Sequence, residues 1–466
     1  MEVSINITDK EINRKKIKTS KKGKNPKLYM KILFSIVFSL VLGVGIYFLY
    51  KTYKATQGFG FTFSPTQLIE KRTNPELAKD SSNTYTNVML IGINTRETGN
   101  LLNTDTIMVA SFNHQTKDLV MVSIPRDFSA QVDPNVVRFN KINSSYSINE
   151  RRKEGSGLPI LQSIVEEILG IEIQYYAMID LKGFVNLIDA VGGVYVNVEN
   201  SFTDYMYPKG KGYQTVSFKA GPQQMDGDTA LKYARSRHSR HNNEGTDYAR
   251  ARRQQRLING LKDTLSNSET LLNPTKLSAI LSSIQNNVKT SSFDVNDIKA
   301  GIDLMKELKE TPSTSYSFVL DPLAGNRSLV TSSSETYTIK PTAGNGKYGD
   351  INKYIQLVLK NPVLYSENPS IYVYNTGLGQ QESNQKVEKI KKEFKYLNIR
   401  YMGTKYNDKE NIYVFSNKEG SFSSSVEILS NYLTTDNTTK PDYVTTKLNG
   451  EDISIFLGKT SLTEDN

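Results

Sequence analysis

The sequence predicts an α/β sandwich, together with a membrane-spanning helix near the N-terminus and a small α+β unit at the C-terminus. Continuous apolar runs at residues 86–93, 104–112 and 119–124 are bounded by turn residues and indicate strands. Such continuous runs are typical of a sheet that is covered on both faces. Helical patterns follow and alternate with further strands, and this order favours a sandwich of sheet and helices.

The N-terminal element is residues 32–50, a run of nineteen residues without a charge. A helix of that length just spans the roughly 30 Å hydrocarbon core of a bilayer. Its basic flank is N-terminal, so we expect residues 1–31 to be a cytoplasmic tail and residues 51–84 an extracytoplasmic spacer. A cleaved signal peptide is the alternative, but the basic region is too long for one and no small-residue cleavage site follows Tyr50. We therefore expect an uncleaved, single-pass anchor in the cell membrane.

The predicted sandwich occupies residues 85–366. After the first three strands, its expected elements are helix 158–169, strand 173–179, helix 181–191, strand 194–198, helices 275–288 and 295–308, strands 317–320 and 337–339, and helix 351–359. Gly192 and Gly193 end the second of these helices. The region between residues 310 and 366 has no pattern that indicates a function.

The C-terminal unit is predicted at residues 368–460. Its expected elements are strand 371–374, helix 382–397, strands 398–402 and 412–415, helix 422–433 and strand 453–457. This β-α-β-β-α-β order predicts a ferredoxin-like α+β domain. Because no cluster of titratable residues appears in it, we expect an interaction domain rather than a catalytic one.

Length and composition limit the possible functions. The chain has 466 residues, which predicts two or three folded units. Its net charge of +10 suggests a nucleic-acid partner, but residues 1–31 hold ten lysines and arginines and three carboxylates, and so account for seven of those charges. The remainder is close to neutral, and we expect no nucleic-acid partner. The absence of cysteine excludes disulfides, a thiol nucleophile and a thiolate metal site.

Residues 223–265 are rich in arginine and predict a phosphate-binding element. A helix is expected to begin near Asp247, with Thr246 as its N-cap. One face of this helix is polar over the first two turns and apolar afterwards; it is formed by Asp247, Arg250, Gln254, Leu257 or Ile258, Leu261 and Leu265. Such a helix can extend its first turns into a site and anchor the remainder in the core. Arg235 and Arg237 lie just upstream and can reach the same place.

Two carboxylates and one more arginine lie where strands or helices begin or end. Asp105 begins an apolar strand and Asp247 begins the long helix. Each alone is explained as a turn or first-turn carboxylate, which the helix dipole favours at Asp247. As a pair they would suit an oxygen-preferring ion such as Mg²⁺. Arg126 follows a strand at the end where α/β sheets tend to bind ligands, and its planar guanidinium suits a pyrophosphate.

Other readings of the charged residues stay open or are excluded. A solvated basic helix is the alternative to a phosphate site, and we expect it to hold for some of the arginines at 240, 252, 253 and 256. His238 and His241 have the spacing of a metal pair, but no third ligand accompanies them, so we expect no zinc site. A Ser-His-Asp triad is not expected, because the sequence has no G-x-S-x-G motif to carry its nucleophile.

Several segments together resemble the LytR-CpsA-Psr family. They are NVMLIGINTR (87–96), NTDTIMVASFN (103–113), MVSIPRD (121–127), FVNLIDAVGGVYVNV (184–198), ALKYARSRH (230–238) and DYARARRQQ (247–255). Residues 369–458 are more loosely similar to the LytR C-terminal domain. The resemblance implies an α-β-α sandwich with a mixed central sheet. It also implies a phosphotransferase that moves a glycopolymer, of the teichoic acid or capsular polysaccharide type, from a polyprenyl-pyrophosphate carrier onto peptidoglycan.

The same resemblance implies roles for individual residues. Asp105 and Asp247 would bind Mg²⁺, with Mn²⁺ as the other candidate ion. The residues implied to bind the pyrophosphate are Arg126, Arg235, Arg237, Arg250 and Gln254. Arg126, Asp247 and Arg235 would be catalytic, and a polyprenyl tunnel would run along helices 158–169 and 181–191. Asn94 departs from the family, because many members carry Asp there, and the resemblance then leaves Asp247 or a phosphate oxygen as the base.

Two other functions remain open on the sequence. A polyprenyl-pyrophosphate phosphatase would use the same site with water as the acceptor. An envelope adaptor or regulator would bind lipid-linked glycan without turnover, although binding alone does not need a metal. The expected partners are the polyprenyl-pyrophosphate-linked glycan, peptidoglycan and the cell membrane, with the catalytic unit outside the cell.

Overall fold

The structure is a computed structural model, and it describes residues 76–94, 103–267, 287–291, 297, 300, 314–324, 328–333, 337–445 and 448–462. The expected tail (1–31), membrane span (32–50) and most of the spacer (51–84) lie outside these ranges, as do most of the predicted helices at 275–288 and 295–308. Within the described ranges, no helix is long and apolar enough to cross a membrane.

The first unit contains most of the strands and helices. Its strands are β1 (Tyr85–Ile93), β2 (Thr104–Asn113), β3 (Leu119–Ser123), β4 (Ser129–Gln131), β5 (Phe139–Lys141), β6 (Tyr175–Asp180), β7 (Val194–Val198), β8 (Phe202–Lys209), β9 (Gly212–Phe218), β10 (Gly221–Met225), β11 (Val288–Thr290), β12 (Ser315–Val319), β13 (Val330–Ser333) and β14 (Thr338–Pro341). Its helices are α1 (Ser145–Arg152), α2 (Gly157–Leu169), α3 (Leu181–Ala190), α4 (Gly227–Arg235), α5 (Asp247–Asn267), α6 (Gly349–Lys360) and α7 (Pro362–Glu367). The elements predicted between residues 86 and 198 are confirmed. The predicted helix 275–288 is wrong at its end, because Val288 begins strand β11.

A six-stranded mixed sheet forms the centre of this unit, in the order β11-β6-β1-β2-β3-β12. β1 pairs with β2 and β2 with β3 in antiparallel fashion, whereas β1 with β6 and β3 with β12 are parallel pairs. The expectation of a mixed central sheet is therefore confirmed. Because β2 and β3 are antiparallel, the start of β2 and the end of β3 lie at the same edge of the sheet.

Both faces of the sheet are covered, as the continuous apolar runs predict. On β3, Val120 and Val122 pack into the core that contains α2 and α6. Met121 and Ser123 point to the opposite face and are also buried. There Gln255 of α5 donates a hydrogen bond from its Nε2 to Ser123 Oγ at 3.0 Å. Helices therefore cover the sheet on both sides, and α5 is fixed directly above the end of β3.

A second core lies beside the sheet and supports α5. It joins α3, α4, β7 and the β8–β9 hairpin, and Phe202, Phe218 and Tyr233 stack within it. The hairpin and α4 were not predicted, because their pattern is interrupted by glycine, proline and lysine. A Cβ at Gly260 would lie 2.5 Å from the Tyr195 carbonyl, so this glycine is what lets α5 lie against β7.

The C-terminal unit has the predicted chain order but not the predicted topology. Its elements are β15 (Ser370–Asn375), α8 (Gln380–Glu393), β16 (Asn398–Thr404), β17 (Tyr413–Ser416), α9 (Ser423–Tyr432) and β18 (Ile453–Leu457). The sheet order is β16-β15-β18-β17, and β15 is parallel to both β16 and β18. In a ferredoxin-like split βαβ unit another strand separates the two strands that a helix joins. Here those strands, β15 and β16, are direct neighbours, so the ferredoxin-like prediction is wrong.

The two units contact each other through α6, α7 and α8. Asp350 of α6 accepts hydrogen bonds from Lys395 Nζ and Tyr396 Oη, both at 2.9 Å. Leu364 of α7 is fully buried in the core of the C-terminal unit. The predicted domain bounds, 85–366 and 368–460, stay a prediction, and these contacts show that side chains on both sides of residue 367 share one core.

Candidate active site

The candidate site begins with a pair of residues at one edge of the central sheet. Met108 of β2 pairs with Ser123 of β3. Asp105 lies three residues before Met108, and Arg126 lies three residues after Ser123. The antiparallel register therefore sets these two side chains opposite each other. Arg126 Nη1 donates to Asp105 Oδ1 at 2.9 Å. The structure therefore brings these two predicted site residues together, and their roles stay predictions.

Arg126 has hydrogen-bonding capacity to spare. Its buried Nε atom has no hydrogen-bond partner among the described residues, although the Asp127 carboxylate lies 3.7 Å away. Asp127 is itself paired with Lys141 at 3.0 Å. Burial lowers the pKa of Arg126, but the carboxylates of Asp247, Asp105 and Asp127 outweigh it and leave that pKa raised. Arg126 is thus a permanent cation with a free donor at the edge of the sheet.

The first turns of α5 supply the second half of the site. Thr246 caps the helix, because its Oγ1 accepts a hydrogen bond from the Ala249 amide at 3.1 Å. Asp247 Oδ1 then forms an ion pair with Arg250 Nη1 at 2.9 Å. Burial lowers the pKa of Arg250, and the nearby guanidinium of Arg126 lowers it further, whereas the carboxylate of Asp247 opposes this. The two Arg–Asp pairs therefore form one cluster, in which two guanidinium groups lie close enough to repel each other.

The α5 prediction is confirmed in part. Leu257 is buried in the second core and Leu261 packs against it, so the later turns anchor the helix as expected. Leu265 lies within α5, but its side chain is outside the described part of the chain. The expectation that some of the arginines at 240, 252, 253 and 256 are solvated holds for Arg240, which is exposed, whereas Arg253 is buried.

Arg253 is fully buried and holds in place the arginine loop, the segment 236–246 between α4 and α5 that carries Arg237 and Arg240. Its guanidinium pairs with Glu244 at 2.5 Å and donates to the carbonyl oxygens of Tyr233 at 2.9 Å and of Ser236. It also lies 4.7 Å from the centre of the Phe202 ring. Sequence reasoning missed this role because the partners come from three separate segments. The result is a rigid connection between the end of α4 and the start of α5.

Arg237 lies in a loop that a buried carboxylate positions. Asp204, at a bulge in β8, accepts hydrogen bonds from the backbone amides of Arg237 at 3.0 Å and His238 at 3.3 Å. It also accepts one from the amide of Met206 at 2.9 Å. The Arg237 side chain is exposed, and its charge contributes to lowering the pKa of Arg250. Asp204 had no signal in the sequence, because the strand that carries it was not predicted.

Two predicted phosphate-binding residues make other contacts. The Arg235 guanidinium lies 5.9 Å from the centre of the Tyr207 ring. Gln254 donates from Nε2 to the Ala234 carbonyl at 3.4 Å. Neither has a described contact with Asp105, Arg126, Asp247 or Arg250. Their phosphate-binding roles stay predictions, although each is near the cluster in sequence.

The structure adds a third carboxylate that the sequence analysis did not select. Val319 of β12 pairs with Ser123 of β3 in parallel, and this register sets Asp321 beside Pro125 and Arg126. Asp321 is 5% exposed, and its Oδ1 accepts a hydrogen bond from the Leu323 amide at 2.8 Å. Burial raises its pKa, and the Asp247 charge raises it further. The signal was present, since Asp321 directly follows a predicted strand.

The resemblance implies that Asp105 and Asp247 bind Mg²⁺, and their oxygen donors are of the chemical type that this ion takes. Asp105 contacts Arg126, the Asp247 charge raises the pKa of the same arginine, and carboxylate oxygens are the ligands that Mg²⁺ prefers. Protein sites for Mg²⁺ often supply only one or two carboxylates, and substrate phosphates and water complete the shell. No group of three or more His, Cys, Asp or Glu side chains suited to a metal occurs in the described ranges. Asn94 follows Ile93, which pairs with Thr104, so a neutral amide lies at the edge that carries Asp105.

Comparison with known proteins decides the family. Residues 53–326, more than half of the chain, match the LytR_cpsA_psr family. The chain belongs to this family. Among its curated relatives in the LytR-CpsA-Psr family, the "Polyisoprenyl-teichoic acid--peptidoglycan teichoic acid transferase TagU" of Bacillus licheniformis is 28% identical over 289 residues, which cover 60% of this chain and 84% of that protein. The "Regulatory protein MsrR" of Staphylococcus aureus is 32% identical over 209 residues, which cover 44% of this chain and 58% of that protein.

Solved structures of similar proteins include LytR-CpsA-Psr relatives. TagV of B. subtilis is 24% identical with a TM-score of 0.43, and the match covers 59% of this chain and 98% of TagV. A structure described as "TagT bound to LI-WTA" is 21% identical with a TM-score of 0.41, and the match covers 61% of this chain and 92% of TagT. The family match ends at residue 326, before the C-terminal unit begins.

Proposed function

We propose that this LytR-CpsA-Psr protein transfers a glycopolymer, of the teichoic acid or capsular polysaccharide type, from a polyprenyl-pyrophosphate carrier to peptidoglycan. The observation that carries the proposal is the joint cluster of Arg126 with Asp105 and Arg250 with Asp247. Two neighbouring guanidinium groups in a partly buried site repel each other, and a bound anion removes that cost. A pyrophosphate matches their planar donors. The curated relative TagU, named as a teichoic acid transferase, supports the same reaction class.

The reaction requires little covalent help from the protein. A sugar hydroxyl of the glycan acceptor attacks the phosphorus nearest the glycopolymer, a new P–O bond forms, and the bond to the departing polyprenyl phosphate breaks. Arg126, Arg250 and Arg237 hold the phosphate oxygens and neutralise the charge that builds on the leaving phosphate. Asp247 and Asp321 are the carboxylates available beside the cluster to take the hydroxyl proton.

Asp105 and Asp247 would hold Mg²⁺ in this site, with Mn²⁺ as an alternative ion. Bound there, the ion would supply Lewis-acid polarisation of the phosphate oxygens. Arg235 and Gln254 complete the proposed phosphate-binding set by rearranging from Tyr207 and from the Ala234 carbonyl. Residues 32–50 would anchor the chain in the cell membrane, with the catalytic unit outside the cell beside a lipid-linked substrate.

The proposal is tested with the full-length chain reconstituted in vesicles. The assay supplies a lipid-pyrophosphate-linked glycan, peptidoglycan and Mg²⁺, and measures glycan covalently attached to peptidoglycan and released polyprenyl phosphate. We expect attachment that stops on chelation and returns with Mg²⁺. Release of lipid phosphate without attachment would identify a phosphatase, and binding without release would identify an adaptor; either result contradicts the proposal.

A further inference from the structure

The β8–β9 hairpin presents large side chains to solvent next to the arginine loop. Tyr205, Met206 and Tyr213 are 57%, 45% and 65% exposed. Pro208 of β8 pairs with Tyr213 of β9, so these two residues share one face of the hairpin. Large hydrophobic side chains that cluster on one exposed face mark an interaction surface more often than isolated ones do.

A bulge in β8 explains how this face arises. The register shifts between Asp204 and Tyr207, so Tyr205 and Met206 together lie opposite a single position of β9. Asp204 and Tyr207 remain on the inner side, where both are buried. The bulge therefore separates an inner face, which packs against the rest of the protein, from an outer, solvent-exposed face that carries tyrosine and methionine.

The inner face is part of the candidate site. Asp204 holds the amides of Arg237 and His238, and Tyr207 lies beneath the Arg235 guanidinium. A surface that contacts Tyr205 and Met206 is thus separated from the arginine loop by the thickness of strand β8 alone. The outer face is placed to set the distance between that loop and an external surface.

The charge of the hairpin identifies the kind of surface. From residue 205 to residue 225 the sequence has three lysines, Lys209, Lys211 and Lys219, and no carboxylate. Tyrosine is enriched where proteins meet the interface of a bilayer, and lysines there attract anionic headgroups. A glycan site would instead use several polar groups, amides and carboxylates among them, to orient sugar hydroxyls. Between Tyr205 and Phe218, Gln214 alone carries an amide or a carboxylate, and it is only partly exposed.

We propose that the outer face of the β8–β9 hairpin, formed by Tyr205, Met206, Pro208 and Tyr213 with Lys209 and Lys211 at its tip, docks onto the anionic headgroup region of the lipid bilayer. This inference rests on the proposed function, because a lipid-linked pyrophosphate lies at the headgroup level of the membrane. Docking there brings the arginine loop to the phosphate, and leaves the glycan free to extend towards its acceptor.

Tryptophan fluorescence tests this docking independently of turnover. The chain contains no tryptophan, so Tyr213→Trp introduces a single reporter, and Tyr205→Trp is a second reporter on the same face. Tyr432→Trp, on α9 of the C-terminal unit, is the matched control at another partly exposed tyrosine. Each full-length variant is reconstituted in vesicles of phosphatidylcholine with phosphatidylglycerol, some of which carry bromine on the acyl chains near the headgroup.

We expect the brominated lipid to quench the reporters at 213 and 205 at least about twofold more than the reporter at 432, because tyrosine-like rings settle at the interface. Adding Lys209→Gln and Lys211→Gln to Tyr213→Trp should reduce the difference, and so should vesicles without phosphatidylglycerol. Equal quenching at 213, 205 and 432 would overturn the proposal. Protection of the reporter at 213 from acrylamide by soluble peptidoglycan fragments, without quenching by lipid, would also overturn it and assign the face to glycan. None of these readouts requires catalysis, so a failed transfer assay and a failed docking assay are distinguishable.

Discussion

Arg253 and Glu244 form an ion pair at 2.5 Å that is almost entirely removed from solvent, between the middle of one helix and the loop before it. The pair fixes the loop from which Arg237 extends. A buried ion pair of this kind contributes little net stability as a pair, but removal of one partner leaves the other as an uncompensated buried charge.

Replacement of Arg253 by methionine should therefore lower the free energy of unfolding by about 3 to 5 kcal/mol. The double variant Arg253→Met, Glu244→Leu should recover most of that loss, because no unpaired charge remains. Arg252→Ala is the matched control, since Arg252 is half exposed and pairs with Glu199 at the surface, and it should cost under about 1 kcal/mol. Chemical denaturation measures all three, and an equal cost for Arg253→Met and Arg252→Ala would contradict the role assigned to Arg253.

Arg126→Lys should reduce glycopolymer transfer by about 100-fold or more, because lysine keeps the charge but loses the planar donors that bind phosphate oxygens. Arg126→Ala and Asp247→Ala should each abolish attachment and leave the thermal unfolding profile of the full chain close to that of the wild type. Arg138→Ala, at an exposed arginine, is the control and should retain normal transfer. Near-normal activity of Arg126→Ala would show that the phosphate binds elsewhere.

Asp204→Ala should lower activity by about tenfold, because the amides of Arg237 and His238 lose their acceptor and the loop shifts. The effect should appear mainly in kcat, with Arg237 misplaced in the transition state. Asp226→Ala is the control. Asp226 accepts a hydrogen bond from the Thr229 amide at 2.8 Å and caps the N-terminal end of α4, the helix that precedes Arg237. It should cost about 1 kcal/mol of stability with normal kcat. Steady-state kinetics on both variants separates a role in positioning the loop from a general loss of stability.

Asp321→Asn should change how stability depends on pH. Burial and the Asp247 charge raise the pKa of Asp321 in the folded chain. Its contribution therefore favours folding below about pH 4, the range of an unfolded aspartate, and is lost as pH rises through the folded pKa. The variant does not titrate, so it should gain stability relative to the wild type between acidic and neutral pH, measured by denaturation in the presence of a chelator.

Asp133→Asn should change the pH dependence of stability in the opposite direction to Asp321→Asn. The hydrogen bond from Arg152 lowers the pKa of Asp133 to about 2, so its contribution is present above the unfolded value and is lost as pH falls towards that pKa. Asp133→Asn should thus be less stable than the wild type at neutral pH and similar to it near pH 2. If Asp321→Asn followed the same trend as Asp133→Asn, the carboxyl of Asp321 would be stabilised as an anion, contrary to its buried position.

The parts of the site that the sequence predicts lie at the ends of regular elements. Asp105, Arg126 and Asp247 each begin or follow a strand or helix whose apolar period is clear, so their approximate positions follow from the pattern. Arg253 could not be assigned in this way. Its burial depends on Phe202, Tyr233 and Glu244, which meet it only in the folded chain.

The errors have physical reasons of the same kind. The C-terminal unit has the predicted order of strands and helices along the chain, but chain order does not determine which strands become neighbours, and β15 pairs with β16 directly. The β8–β9 hairpin was not predicted because, besides its glycine, proline and lysine residues, a bulge breaks its alternation of buried and exposed residues. Asp321 was missed although its strand was predicted, since the pairing of β12 with β3 is a long-range contact.

The pairing of β12 with β3 also determines at what stage of folding the site is complete. Leu119 of β3 pairs with Ser315 of β12, so the edge that holds Arg126 is closed by a strand from much later in the chain. Contacts between segments so distant in sequence form slowly, because the entropy of closing the intervening loop is lost before the contact stabilises it. A chain cut before residue 315 retains Asp105, Arg126 and Asp247 but lacks the strand that completes their edge. Transfer activity should therefore appear only late in folding, and a nascent or clipped chain should be inactive towards lipid-linked substrate.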